Sequence, residues 1–471
     1  MIFSDINFIF ILFPLLILIY FSSKVLFRNY ILILFSILFY AIGDGIYVII
    51  LLLVILFNYI IIKFIYLKIN NHKIIISVGV FFNLSILAFF KYGNFLVENL
   101  NIFLYNLFEF KLEYIDFRNP IGISFYIFQS ISLILDISRN NKRINSDLTS
   151  ISLYILLFPQ LIAGPIVRYK DLVLQISGRV SSIDDFVIGF RRFIVGLSKK
   201  VLIADSLAPF VNQCFLIEGQ LGFTEAWVCI LAFSFQLYFD FSGYSDMAIG
   251  LCRVFGFRLN ENFNHPYQSS TMQNLWSRWH ISLTQWFRDY LFLNLRSILK
   301  KFKLNNYYLA IIVNFTLIGF WHGASWCFLC FGFAHGLVII VERKLRLKKI
   351  LDDNRLIGTI YTQIIWLTLM PLFAIGDLDI AIRFIYSMYT NAKSFETSAS
   401  YNNEFIIVMI FAFIYSFFYS NIKDKVKRII INTNCNYVAH VIADLFLILL
   451  FVISISRMSA TTFNPFIYFK F

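Results

Sequence analysis

Apolar runs broken by short charged segments mark this chain from its start. Ile6 to Ser22 stops at Lys24 and Arg28, Tyr30 to Ile42 ends in the turn Gly43, Asp44 and Gly45, and Ile46 to Ile62 stops at Lys63, Lys68 and Lys73. Ile74 to Phe90 leads into a mixed segment in which Glu98, Glu109, Glu113 and Asp116 outnumber Lys91, Lys111 and Arg118. Ile121 to Leu135 then returns to Arg139, Lys142 and Arg143. Runs of this kind predict membrane-spanning helices. Lys and Arg concentrate in cytoplasmic loops, so the alternation puts the N-terminus outside and holds its phase through five spans. Ile6 to Tyr20 lacks the basic region and small-residue cleavage site of a signal peptide and reads as a retained span.

The pattern then changes. Thr149 to Leu161 is short for a crossing that needs about 20 residues. It runs into FPQLIAGPIVRYKD, where Pro159, Gly164 and Pro165 break helix; Lys170, Arg179, Arg191, Arg192, Lys199 and Lys200 follow without a long apolar run. This predicts a re-entrant element with amphipathic helices on the cytoplasmic face. Non-helical backbone at membrane depth survives only inside protein or along a cavity, so the element is expected to help wall a site. Ala226 to Phe241 is a further span that carries Asp240 and Asp246 where apolar residues are normally required. Met272 to Leu295 has the alternation of an amphipathic helix lying in the interface plane. Tyr308 to Phe320, Phe328 to Val341, Ile357 to Ile375, Phe405 to Tyr419 and Val441 to Ile455 complete the spans, leaving the C-terminus outside with the N-terminus.

Composition agrees with one polytopic membrane domain over residues 1–471. Hydrophobic residues make up 59% and charged residues 14%, against about 25% charged in soluble domains, and mean hydropathy is +0.75. No Pro/Gly/Ser linker divides the chain. The net charge of +13 falls in short loops beside spans, where it serves orientation and anionic-lipid contact, not nucleic acid. The six cysteines sit mostly in apolar segments. Cys327 and Cys330 have ligand spacing but lack the second pair a zinc site needs, so they read as structural thiols and no metal site is expected.

The candidate chemistry lies in what a membrane accommodates least. Of six histidines, His280 and His322 sit beside Trp in SRWHISL and GFWHGAS, about forty residues apart, and ionisable groups at this depth mark function by default. They are expected to converge in one buried site. His335 reads as a packing or hydrogen-bonding residue, and His72, His265 and His440 carry no site argument. Asp240 and Asp246, with Ser242 and Tyr244 between them, either pair with Arg253 or Arg258 or line a substrate path. A near-neutral imidazole can take a proton from a hydroxyl and pass it on. The chain has no phosphate-binding glycine loop and no GxSxG elbow. The residues alone therefore lead to a polytopic enzyme or transporter with a histidine-lined site.

The runs NPIGISFYIFQSISLILDISR (119–139), FPQLIAGPIVRYKDL (158–172), FQLYFDFSGYSDMAIGLCRVFGFRLNENFNHPY (235–267), LWSRWHISLTQWFRDYLFLNL (275–295) and GFWHGASWCFLCFGFAHGL (319–337) resemble the bacterial alginate O-acetyltransferase branch of the membrane-bound O-acyltransferases. The resemblance implies an all-α polytopic fold of about 11–13 helices, some re-entrant or interfacial, around a central funnel. Its core motifs span about 119–340, and its C-terminal spans and aromatic tail cover 357–471. It implies His322 as the catalytic residue with His280 in the same site, and Arg278, Trp279, Gln236, Asn264, Trp321, Pro165 and Arg168, with the Asp240–Asp246 run, along the path. It further implies acyl transfer, usually acetyl from cytoplasmic acetyl-CoA with no bound cofactor, toward an extracytoplasmic polysaccharide at the bacterial cytoplasmic membrane, with an SGNH-type esterase-like partner outside. A related branch moves D-alanine from a carrier protein to teichoic acid. Tyr468, in the tail FNPFIYFKF, resembles an acyl-accepting residue; an interfacial aromatic anchor is the other reading. After Pro371 the chain departs from the family, which commonly has a Phe-Arg pair there. A histidine-relay transporter would show paired internal repeats, and none is visible.

Overall fold

The computed structural model describes the chain apart from residues 1–2, 68–71, 117, 140–145, 217–220, 303–306, 391–400, 434–435, 461–465 and 468–471, and apart from the side chains of 421, 423–424, 426–433 and 436–437. The described residues are helical, with no strand among them. Among the described residues, seven helices are long and apolar enough to cross a membrane, and Phe8–Ser22 and Tyr307–His322 are shorter apolar helices. The chain packs as two compact units, Met1–Phe190 with Ala248–Asn260, and Arg191–Met247 with Glu261–Phe471.

In the first unit, Arg28–Asp44 and Val48–Tyr66 form the helices expected on either side of Gly45. Asp44 at that turn accepts from the Tyr40 hydroxyl at 3.1 Å and from the Ile121 amide at 2.8 Å and pairs with Arg118, which fixes the strand of coil leading into the next helix. That helix, Ile123–Arg139, is buried along nearly its whole length. By contrast, only 17% of the apolar window in His72–Phe108 is buried; its side chains are left for lipid. Between Val48–Tyr66 and His72–Leu87, Asn58 and Asn83 exchange amide hydrogen bonds of 3.2 and 2.9 Å, satisfying two polar groups that would otherwise be costly at this depth. The proline-interrupted stretch folds as Leu148–Leu156 and Phe158–Leu161, then coil, then Tyr169–Gly178. Pro165 is buried in that coil, and Arg168 pairs with Asp171 at 2.6 Å.

Two sequence expectations need correction. Arg253 and Arg258 do not pair with Asp240 or Asp246: both turn to Asp185, at 3.1 and 3.6 Å. Met272 to Leu295 is not one helix in the interface plane. It breaks into Met272–Trp276, Ile281–Phe287 and a π-helical turn Arg288–Phe292, and Trp276, Trp279 and His280 are buried. Periodicity described the outer face of this segment but not the break, which occurs at His280 itself.

The second unit is built on close backbone crossings. Helix Ile183–Ser198 continues through a π-helical turn, Lys199–Ala204, into Asp205–Phe215. It meets helix Phe223–Val254 at Gly196 and Gly243, where a Cβ on Gly196 would lie 2.5 Å from the Gly243 carbonyl oxygen. Only glycine permits that approach. The approach brings the two lysines of the π turn against the two aspartates of the facing helix: Lys199 pairs with Asp246 at 2.7 Å and Lys200 with Asp240 at 2.8 Å, while Arg192 also reaches Asp246 at 2.8 Å. The sequence placed these lysines on amphipathic helices at the cytoplasmic face; the structure buries Lys200 and half-buries Lys199 against the aspartates. Tyr307–His322 and Trp326–Lys344 also cross at glycine distance, at Gly319 and Gly332.

Candidate active site

His280 is positioned by backbone strain and by one asparagine. Its φ and ψ are 42° and 54°, a left-handed conformation that costs a non-glycine residue of order 1 kcal/mol or more and persists where the surroundings enforce it. The enforcement comes from Asn262. Its carbonyl accepts from the Ile281 amide at 2.9 Å, and the neighbouring Asn264 amide donates to Arg278 O at 2.9 Å, strapping 262–264 to 278–281. The Asn262 side-chain oxygen accepts from the Ser282 amide at 3.3 Å and the Ser282 hydroxyl at 2.8 Å, and lies 3.1 Å from His280 Nδ1. A backbone N–H can only donate, so the atom it faces is the amide oxygen. His280 Nδ1 is then the protonated nitrogen, which leaves the lone pair on Nε2. Nδ2 of Asn262 donates to Ser245 Oγ at 3.0 Å. The start of the segment is pinned separately, by the Glu342 carboxylate accepting from the Met272 amide at 2.7 Å.

His322 ends the helix Tyr307–His322 and is 3% exposed. The Trp321 ring packs on both imidazoles, with centroids 5.8 Å from His280 and 5.0 Å from His322. Phe373 stacks edge-on against His322 at 5.0 Å, and Phe241 against His280 at 4.6 Å. Beside this ring cluster lies a cavity of about 450 Å³ lined by Gly323, Ala324, Ser325, Gln236 and Phe373, with Ile467 of the C-terminal segment in its wall. That volume is in the range of small-molecule sites. The Gln236 side-chain oxygen is buried with no hydrogen-bond partner among the described residues, as a polar group facing a ligand or solvent would be.

The expected site residues divide. Gln236 lines the cavity, and His280, Trp321 and His322 form the ring cluster beside it. Trp279 packs on Trp366 at 4.9 Å and Tyr238 at 6.0 Å, one layer away. Arg278 is half-buried and near enough to Arg355 for the two charges to oppose each other. Asn264 acts through its backbone. Asp240 and Asp246 are held in ion pairs, Tyr244 packs on Phe466 at 4.9 Å, and Ser242 is buried beside them. Pro165 and Arg168 belong to the first unit. Tyr468 lies outside the described residues. His335 hydrogen-bonds Phe331 O at 2.9 Å through Nδ1. Sequence reasoning missed Asn262, Phe373, Lys200 and Ile467; of these only Asn262, in the polar run NENFNHP, carried a local signal.

Burial holds the His280 imidazole neutral, with its pKa pushed down to about 3. The unfolded chain, with a histidine pKa near 6.5, binds a proton that the folded site refuses. Stability from this residue is therefore fully present above about pH 6.5 and lost as pH falls toward 3. The apparent melting temperature in detergent should fall across that window, and His280→Gln should flatten the fall; equal slopes for the two proteins would contradict this account.

A polytopic α-helical membrane protein with a buried two-histidine site beside a small cavity is the class these features define. Residues 76–348 match the model of the membrane-bound O-acyltransferase family, to which the chain belongs, and it is an O-acyltransferase. It is 34% identical to a probable alginate O-acetylase of Azotobacter vinelandii across 100% of both chains. It is 34% identical to a peptidoglycan O-acetyltransferase of Helicobacter pylori over 69% of this chain and 66% of that protein. It is 29% identical to a teichoic acid D-alanyltransferase of Streptococcus thermophilus over 50% of this chain and 60% of that protein.

Proposed function

We propose that this protein transfers acetyl groups from cytoplasmic acetyl-CoA across the bacterial cytoplasmic membrane for O-acetylation of an extracytoplasmic polysaccharide. The observation that carries this is the cavity bordered by the residues that follow His322, in a chain similar over its full length to a probable alginate O-acetylase. His322 acts as the general base. It takes the proton of an acceptor hydroxyl as the oxygen attacks the thioester carbonyl; the new C–O bond forms, the C–S bond breaks, and the proton passes to the departing thiolate. Arg278 serves to stabilise the charge that develops on the carbonyl oxygen, a role the neutral His280 cannot share, because the contact with Asn262 leaves a lone pair and not a proton on its Nε2.

The first acceptor in this scheme is Tyr468, whose aryl ester is activated for onward transfer to an SGNH-type esterase-like partner outside the membrane, with both termini of the chain on that side. D-alanyl transfer is less favoured, because the likeness to a D-alanyl-transferring relative covers half the chain. The test uses proteoliposomes supplied with radiolabelled acetyl-CoA. Label should appear on the protein, be lost in Tyr468→Phe, and chase onto polysaccharide when partner and acceptor are added. Unchanged product acetylation in cells carrying Tyr468→Phe would remove Tyr468 from the scheme, and failure of acetyl-CoA to label either protein or polymer would remove the donor.

A further inference from the structure

The described part of the C-terminal segment meets the interior at a charged group. The Ile467 amide donates to Asp240 Oδ2 at 2.7 Å, midway along helix Phe223–Val254. The other carboxylate oxygen of Asp240 is 2.8 Å from Lys200 Nζ, and Lys200 in turn meets Asp205 at 2.7 Å. Side chains of Asp240 and Lys200 are 2% and 4% exposed. Phe466 is fully buried, packed on Tyr244 at 4.9 Å and on Phe241 at 5.8 Å, and Phe241 is the ring against His280. Ile467 contributes to the wall of the cavity that the Gly323–Ser325 turn after His322 also lines.

A buried ion pair alone is weak evidence for stability, because desolvation offsets much of its Coulomb gain. What distinguishes this one is its third member. One lysine serves two carboxylates, and Asp240 turns its remaining oxygen to a main-chain N–H, a charge-assisted bond of the stronger class. Such a contact reads backbone, not side chain, so it fixes where the segment lies whatever residue occupies position 467.

We infer that Asp240, seated on Lys200, is a positioning residue that docks the C-terminal segment in the wall of the His322 cavity. The inference deepens the reading above and rests on it for its purpose: Tyr468 follows Ile467 in sequence, so the acceptor which that reading assigns is tethered one residue from the docked contact and needs no diffusional search.

The test is hydrogen–deuterium exchange at the Ile467 amide of the full chain in detergent micelles, read by mass spectrometry. The wild-type amide should be protected. In Asp240→Leu it should exchange roughly 10- to 100-fold faster, as expected for loss of a hydrogen bond to a charged group. Asp240→Asn, which keeps an accepting oxygen, should stay nearer the wild type. Exchange in helix Trp326–Lys344 in the same spectra reports whether each variant is folded. A residue serving only to neutralise Lys200 would make Asn and Leu equivalent, and that result, or fast exchange in the wild type, overturns the inference. If Asp240→Leu does not fold, Ile467→Pro removes the donated N–H while leaving Asp240 and Lys200 in place. It should lower turnover well below that of Ile467→Ala, which truncates the same side chain but keeps the N–H, and equal turnover in the two is again a refutation. The two readings fail separately: a protected amide with a fully active Tyr468→Phe keeps the anchor and discards the acyl carrier, whereas an unprotected amide with acetylated Tyr468 does the reverse.

Discussion

His322→Ala should lower the turnover of acyl transfer by about 10²- to 10⁴-fold, the range general-base catalysis contributes, with little change in the donor concentration needed for half-maximal rate. In the proposed scheme truncation removes the imidazole that takes the hydroxyl proton but leaves Gly323, Ala324, Ser325, Gln236 and Phe373, the cavity walls against which the donor is proposed to bind. A split in which turnover falls and KM holds is the signature of an interaction made only in the transition state. His322→Gln is the companion variant: it preserves volume between Trp321 and Phe373, so a low rate there cannot be assigned to collapse of the ring cluster. His280→Ala should cost less in rate than His322→Ala, because the scheme assigns the proton transfer to His322. Reconstituted protein, labelled acetyl-CoA and a melting curve for each variant suffice. Wild-type turnover in a folded His322→Ala protein would take the chemistry away from this residue.

The spans and the histidines were legible for the same reason: a bilayer penalises polarity so strongly that apolar runs and stray ionisable groups both stand out. What stayed hidden was pairing at long sequence separation. Lys200 and Asp240 are forty residues apart and each looks misplaced alone; only the Gly196–Gly243 crossing makes them partners, and a glycine in a helix does not announce which glycine it will meet. The break at His280 was hidden differently. The residues around it keep a helical alternation, but the hydrogen bonds of Asn262 outweigh propensity and turn His280 into the left-handed region. Local pattern cannot report a conformation that a distant side chain imposes.

The same dependence on close backbone approach sets the second large effect. At the crossing of Tyr307–His322 with Trp326–Lys344, a Cβ on Gly332 would sit 2.2 Å from the Phe315 carbonyl oxygen, and one on Gly319 would sit 2.1 Å from that of Phe328. These are backbone atoms and have no rotamer to yield. A methyl group at Gly332 therefore has to push the helices apart, at a cost for overpacking of about 1–3 kcal/mol or more, in a pair whose association in a membrane relies on van der Waals contact between small residues. Separation moves the C-terminal end of the first helix, where His322 is placed. A misplacement of about 1 Å can cost about 10²-fold in rate. Gly332→Ala should thus retain its helix content yet lose about 10²-fold in turnover, and Gly332→Val should fail to accumulate as folded protein. Gly178, whose added Cβ would meet nothing within 4 Å, is the control: Gly178→Ala should match the wild type in both measurements. Wild-type turnover and melting in Gly332→Ala would mean that the helices are not held at glycine distance, and the placement of His322 would then need another cause.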